Sequence, residues 1–158
     1  MKFRVAVLLF ALALSGCDNT TTDPVNEDGT TVTAVTSIYE QAVAAPDRLS
    51  GDYERDAGRK PVAVLEFFGI KPGQTVLEMF SGGGYYTDLL SRVVGPGGIV
   101  HAQTNDAYVG FAGQEFVDRH ANGRLANVDI LMAENNELDV AEASRDAVTI
   151  VLGYHGPS

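Results

Sequence analysis

The sequence predicts an α/β fold in which a parallel sheet is covered by helices on both faces. Two observations predict it. Short apolar runs recur at Thr75–Phe80, Ile99–Gln103, Val128–Met132 and Ala147–Leu152, each bounded by turn-forming residues. Segments with helical patterning lie between them, and strands that alternate with helices pair in parallel. The chain has 158 residues, 45 % of them apolar and 20 % charged, a globular composition with room for one domain. With 21 acidic residues against 11 basic ones, the net charge is −10. That excess opposes broad nucleic-acid contact and electrostatic adhesion to anionic lipid, since both need a basic face. The single cysteine excludes a disulfide framework and a cysteine-rich zinc site. The three histidines show no ligand spacing, and no metal is expected.

The first 17 residues stand apart from the fold. Lys2 and Arg4 precede an unbroken apolar stretch from Val5 to Leu14, the length of a signal-peptide core and too short to span a bilayer. The stretch ends in Leu14-Ser15-Gly16-Cys17, which resembles the lipobox of bacterial lipoproteins. That resemblance implies cleavage before Cys17, acylation of its amino terminus, and export to the periplasmic side of the cell envelope. Asp18 then favours retention in the inner membrane. Cleavage would remove two basic residues and no acid, leaving a net charge of −12. Residues 17–36, rich in Thr, Asn, Asp and Gly, carry no structural period and read as a flexible tether.

The folded part is expected from Ser37. Ile38–Ala45 reads as a short helix stopped by Pro46. Pro61 opens a second helix, whose apolar face is Val62, Leu65 and Phe68 and whose stop is Gly69. Thr75–Phe80 reads as a buried strand, Ser81–Gly84 as a glycine loop, and Tyr85–Val94 as a helix. The turn at residues 95–98 leads to the second strand. A helix near Gln114–Ala121, the third strand, a weak helix near Val140–Ser144 and the fourth strand complete the order.

The chemistry concentrates in Val76-Leu77-Glu78-Met79-Phe80-Ser81-Gly82-Gly83-Gly84-Tyr85-Tyr86-Thr87. A strand delivers its last residues to the carboxyl edge of an open α/β sheet, where ligands bind. Glycines there let a ligand approach bare backbone, and the following helix offers its first amides. A carboxylate four residues before the first glycine suits a cationic ligand group. A dinucleotide fingerprint would need glycine at position 87, where Thr87 stands, and a phosphate loop would need a lysine that is absent. A tight turn that binds nothing is the bland alternative.

This segment resembles the class I S-adenosylmethionine-dependent methyltransferases. Within them it is similar to a bacterial group of predicted methyltransferases that often carry exported leaders. Arg55-Asp56-Ala57-Gly58-Arg59-Lys60-Pro61, ahead of the glycine motif, carries the closer likeness. The resemblance runs from about Ala45 to His155 and implies a Rossmann-like sheet with S-adenosylmethionine as cofactor. It places Glu78 at the cofactor's methionine end and Phe80, Ser81, Gly82, Gly83 and Gly84 in the loop beneath it. Phe80 stands where many members have glycine. The strand-two acid that holds the ribose is missing, so Asn105 or Asp106 takes that place, and Glu134 with Asn135 falls where an acid meets adenine. Tyr154 and His155, beyond strand four, are the catalytic-side candidates, with His155 able to act as a general base. Arg55, Asp56 and Arg59 read either as a charged helix start or as a lid.

In the class I arrangement, strand four is central, with three further strands following in the sheet. The sequence supplies only strands one to four, which leaves the fourth as an apolar edge. The expectation is a C-terminally truncated domain; a homodimer pairing through strand four is the competing account. The functional expectation is methyl transfer to an unidentified acceptor. Its alternatives are a small-molecule-binding module without catalysis and an inactive fragment.

Overall fold

The computed structural model describes residues 36–151. The lipobox with Cys17, nearly all of the tether, Leu152, Tyr154 and His155 lie outside the described residues. The elements run α1 (Ile38–Ala44), α2 (Ser50–Arg59), α3 (Pro61–Phe68), β1 (Thr75–Met79), α4 (Tyr85–Val94), β2 (Ile99–Thr104), α5 (Asp106–Ala112), α6 (Gln114–His120), β3 (Val128–Met132) and β4 (Ala147–Ile150). The strands form one parallel sheet in the order β3-β2-β1-β4.

Local chemistry accounts for the element ends. Ser37 caps α1 reciprocally with Glu40: the Glu40 amide donates to the serine hydroxyl, and the Ser37 amide donates to the glutamate. Lys60 takes a left-handed conformation (φ 46°), ending α2 and starting α3, where Pro61 fits the first turn. Gly69 closes α3 at φ 62°.

Helix α4 is almost entirely buried. Its Leu89, Leu90, Val93 and Val94 pack on Val76 of β1 and Val100 of β2, joined by Ala42, Leu65 and Ile70. Its polar side chains are paired rather than hydrated: Thr87 donates to Glu78, Asp88 accepts from Arg92 and Arg119, and Ser91 donates to Asn127.

Three expectations are corrected here. Helices α2 and α5 were not foreseen. Residues 140–144 form no helix: the segment is turn and coil, with Ala143 at φ 54°. Among the described residues, helices also pack on only one face of the sheet. The strand register puts Val76, Val100, Val128 and Ala147 on the face that meets α4, and Leu77, His101, Asp129 and Val148 on the other. On that second face, Val148 and Ile150 remain 59 % and 56 % exposed.

The handedness of parallel crossovers supplies the reason. From β1 to β2 to β3 the chain steps in one direction, so right-handed connections put their helices on one side. The step from β3 back past β1 to β4 belongs on the opposite side, and its connection, residues 133–146, contains no helix. The missing helix at 140–144 and the exposure of β4 on the second face are therefore one observation.

Candidate functional site

The carboxyl edge of the sheet opens into a cavity of about 570 Å³, within the range that holds small ligands. Its floor is Phe80, Ser81, Gly82 and Gly83, the loop between β1 and α4. One wall is Arg55 and Arg59 from α2 with Tyr85 and Tyr86 from α4. Tyr108 and Phe111 from α5 form another wall, Glu115 from α6 lies beside Arg55, and Val151 closes the β4 side.

The loop is fastened at several points. The Ser81 amide donates to the Gln103 carbonyl at 2.9 Å, and the Phe80 amide donates to the Gln103 side chain at 2.9 Å. Phe80 holds a left-handed conformation at φ 59°, which costs a residue with a Cβ about 1–2 kcal/mol. Its ring lies 5.7 Å from that of Tyr108, so the strained residue forms part of an aromatic wall. The three glycines differ in what surrounds them. A Cβ on Gly83 would fall 2.7 Å from the Glu115 carboxyl carbon, and one on Gly84 would fall 3.0 Å from the Arg119 side chain. A Cβ on Gly82 would meet only the Phe80 carbonyl, at 3.9 Å, so this residue presents open backbone at φ 55°.

Beneath the loop, Glu78 is 3 % exposed and does not line the cavity. Burial pushes its carboxyl up to about 7, against the Thr87 hydroxyl and the positive charge of Arg119, which act to lower it. Glu78 thus supports the loop from below. Asn105 and Glu134 are brought together, with the amide nitrogen of Asn105 3.0 Å from both Glu134 carboxylate oxygens. The other end of the amide accepts from the Tyr108 backbone and caps α5. This pair stands at the carboxyl ends of β2 and β3, beside the cavity lining rather than in it.

The organising residue is one the sequence reading passed over. Arg119 is fully buried, and its five N–H donors are all engaged. Nε donates to the Gly83 carbonyl at 3.1 Å, Nη1 to Asp52 and Asp88, and Nη2 to Asp52 at 2.8 Å and Glu115 at 3.0 Å. Burial raises the Asp52 carboxyl, yet Arg119 and Arg55 outweigh it and hold Asp52 below the usual carboxylate range. Arg55 also reaches Glu115, at 2.7 Å. Arg48 forms a two-pronged pair with Asp56 at 2.7 and 2.8 Å, which holds that carboxyl low, and Asp56 in turn accepts from the Tyr85 hydroxyl. The Arg55, Asp56 and Arg59 segment is therefore the body of α2, and this helix is cross-linked to the glycine loop by ions. No sequence motif marks Arg119. The His120 Nδ1–H donates to the Phe116 carbonyl, 2.9 Å away, and His101 sits on the second sheet face 3.9 Å from Asp129.

No family model matches the chain. Over 90 residues it is 31 % identical to the ubiquinone/menaquinone biosynthesis C-methyltransferase UbiE of Ectopseudomonas mendocina (strain ymp), covering 56 % of this chain and 34 % of that one. It is 30 % identical to the protein of the same name from Ectopseudomonas oleovorans, covering 51 % of it. The chain thus spans about a third to a half of the length of these curated relatives. Among solved structures, a SAM-dependent methyltransferase from Aquifex aeolicus superposes with a TM-score of 0.51 at 33 % identity, covering 61 % of this chain and 50 % of that one. The four-stranded sheet is accordingly part of the Rossmann-like fold of class I S-adenosylmethionine-dependent methyltransferases.

Proposed function

We propose that the chain binds S-adenosylmethionine in this cavity and forms the cofactor-holding part of a methyltransferase. The observation that carries the reading is the Ser81–Gly84 loop. It lies at the carboxyl edge of β1, it leaves Gly82 as open backbone, and it leads into the N-terminus of α4. The bound group supplies a methyl carbon made electrophilic by its sulfonium, and transfer is an in-line displacement that depends mainly on positioning. The residues of the chain supply that positioning. Phe80 and Tyr108 offer aromatic faces suited to a flat ring or a sulfonium cation. Glu134, which follows β3, is held by Asn105 and brings a carboxylate beside the end of β2, where strand two itself has none; next to the cavity, a carboxylate holds a diol better than an amide does.

Calorimetric titration of the full chain with S-adenosylmethionine and S-adenosylhomocysteine tests the reading. Micromolar binding that Gly82→Val abolishes is the expected result, because valine is strained at φ 55° and projects into the cavity. A folded chain that binds neither compound overturns it.

The leader adds a second element to the proposal: acylation at Cys17 anchors the domain to the outer face of the bacterial inner membrane. The lipobox at the end of a basic and apolar leader supports this. Cells given radiolabelled palmitate should label the wild-type chain and not Cys17→Ala, and equal labelling would remove the anchor.

A further inference from the structure

We infer that Arg59 is the receptor for a carboxylate on the bound molecule, so that the cavity recognises the amino-acid end of its ligand by charge. The inference rests on the S-adenosylmethionine reading and adds a residue to it. Six arginines surround the glycine loop and α4, and five are committed to carboxylates of the fold. Arg48 pairs with Asp56, Arg55 with Asp52 and Glu115, Arg92 with Asp47 and Asp88, Arg119 with Asp52, Asp88 and Glu115, and Arg124 with Asp88. Arg59 makes no ion pair among the described residues, although it stands in a chain with ten more acids than bases.

Its position is nevertheless fixed. The guanidinium carbon lies 4.5 Å from the centre of the Tyr85 ring, closer than those of Arg48 and Arg55 at 5.5 and 5.2 Å. Tyr85 is itself held by its hydroxyl on Asp56, and the Arg59 carbonyl accepts from Tyr86 at 3.2 Å. A guanidinium stacked on an aromatic face has its plane set while its N–H edges stay available, and those edges match a carboxylate in a two-pronged contact. Arg59 lines the cavity together with Ser81 and Gly82. A molecule lying on the loop therefore meets one cation that the fold has not neutralised. Arg55 cannot serve in its place without giving up Glu115 or Asp52, of which Asp52 is wholly buried.

The test is calorimetric titration of the full chain with S-adenosylhomocysteine and with its carboxamide, which has the same shape without the negative charge. The wild-type chain should prefer the carboxylate by about 10- to 100-fold, the value of a charge-assisted two-pronged contact. Arg59→Gln should lose that factor for the carboxylate and bind the carboxamide as the wild type does, while Arg59→Lys should recover part of the preference. Arg59→Gln binding both ligands less well by the same factor would make Arg59 a structural residue and overturn the inference, as would an unchanged preference in Arg59→Gln. A wild-type chain that binds S-adenosylhomocysteine and its carboxamide equally would overturn the inference while leaving the cofactor reading intact. A folded wild-type chain that binds neither would overturn both.

Discussion

Glu78 is a buried acid whose protonation is coupled to folding, and replacing it with glutamine should change how stability depends on pH. In the folded chain its carboxyl is pushed from the usual 4.5 up to about 7 by burial, so the neutral form is favoured. Between these values the unfolded chain has released the proton and the folded chain retains it. Stability contributed by the neutral carboxyl is therefore complete below about pH 4.5 and lost as pH rises through about 7. At about 1.36 kcal/mol for each pH unit between the two values, this comes to about 3 kcal/mol in full. About 1 kcal/mol of that is already lost at about pH 5, which leaves about 2 kcal/mol between about pH 5 and about pH 8. Glu78→Gln keeps the shape and cannot ionise. Urea denaturation of both chains at the two pH values isolates the effect, since every other titrating group cancels in the comparison. Relative to wild type, the variant should be more stable at the higher pH than at the lower by about 2 kcal/mol. An identical difference at both values would mean that Glu78 is ionised in the folded chain, and the account of it as a neutral support beneath the loop would be wrong.

Other substitutions probe the ion network and the strained backbone. Arg119→Met leaves Asp52 and Asp88 buried without their common cation and should cost about 3–5 kcal/mol in urea denaturation; a loss below about 1 kcal/mol would show that the network is dispensable. Lys60→Gly removes a Cβ from an exposed left-handed residue and should stabilise the chain by about 0.5–1 kcal/mol, the strain relieved exceeding the entropy that glycine adds to the unfolded state. A fall in the urea midpoint would refute that balance. Gly83→Ala should be destabilising in the wild type and close to neutral in Glu115→Ala, because the added methyl collides with the Glu115 carboxyl. A double-mutant cycle should therefore give a coupling of about 1 kcal/mol or more, and additivity would remove the contact.

What the sequence made legible follows the hydrophobic period. Helix α4 and strand β3 were read to the residue, and β1, β2 and α1 to within one, because each is an apolar run with a glycine, proline or capping residue at its ends. Helix α2 escaped for the opposite reason. Its sequence, SGDYERDAGR, has two glycines and scarcely any apolar residues, and the side chain it buries most deeply is Asp52. Ion pairs to α6 and to Arg48, with a hydrogen bond from Tyr85 of α4, hold its inner face, and pairing between distant charges leaves no local pattern. Helix α5 is seven residues long and contains a glycine, and the residue that caps it, Asn105, is also the one the family resemblance places at the ribose, so it carries no separate helix signal. The glycine loop and its place at the carboxyl edge were legible, since strand, glycines and helix follow one another without interruption. Arg59 could be named from its motif, but its lack of a carboxylate partner emerges only when the other arginines are seen paired.

Strand β4 joins the sheet on one side only, through its ladder to β1 and a clasp in which Asp146 and Thr75 exchange two hydrogen bonds of 2.7 and 2.8 Å. With no helix behind it and one neighbour beside it among the described residues, β4 is the strand whose amides should exchange with solvent through the least costly opening. Val151, which immediately follows it, is part of the cavity wall. A molecule that rests on Val151 can do so only while β4 is docked, so each closed-cavity complex is also a complex with the strand in place. Occupancy should slow exchange along Ala147–Ile150 by the factor by which ligand concentration exceeds its dissociation constant. The least supported strand of the sheet thereby becomes its most responsive indicator of a filled cavity.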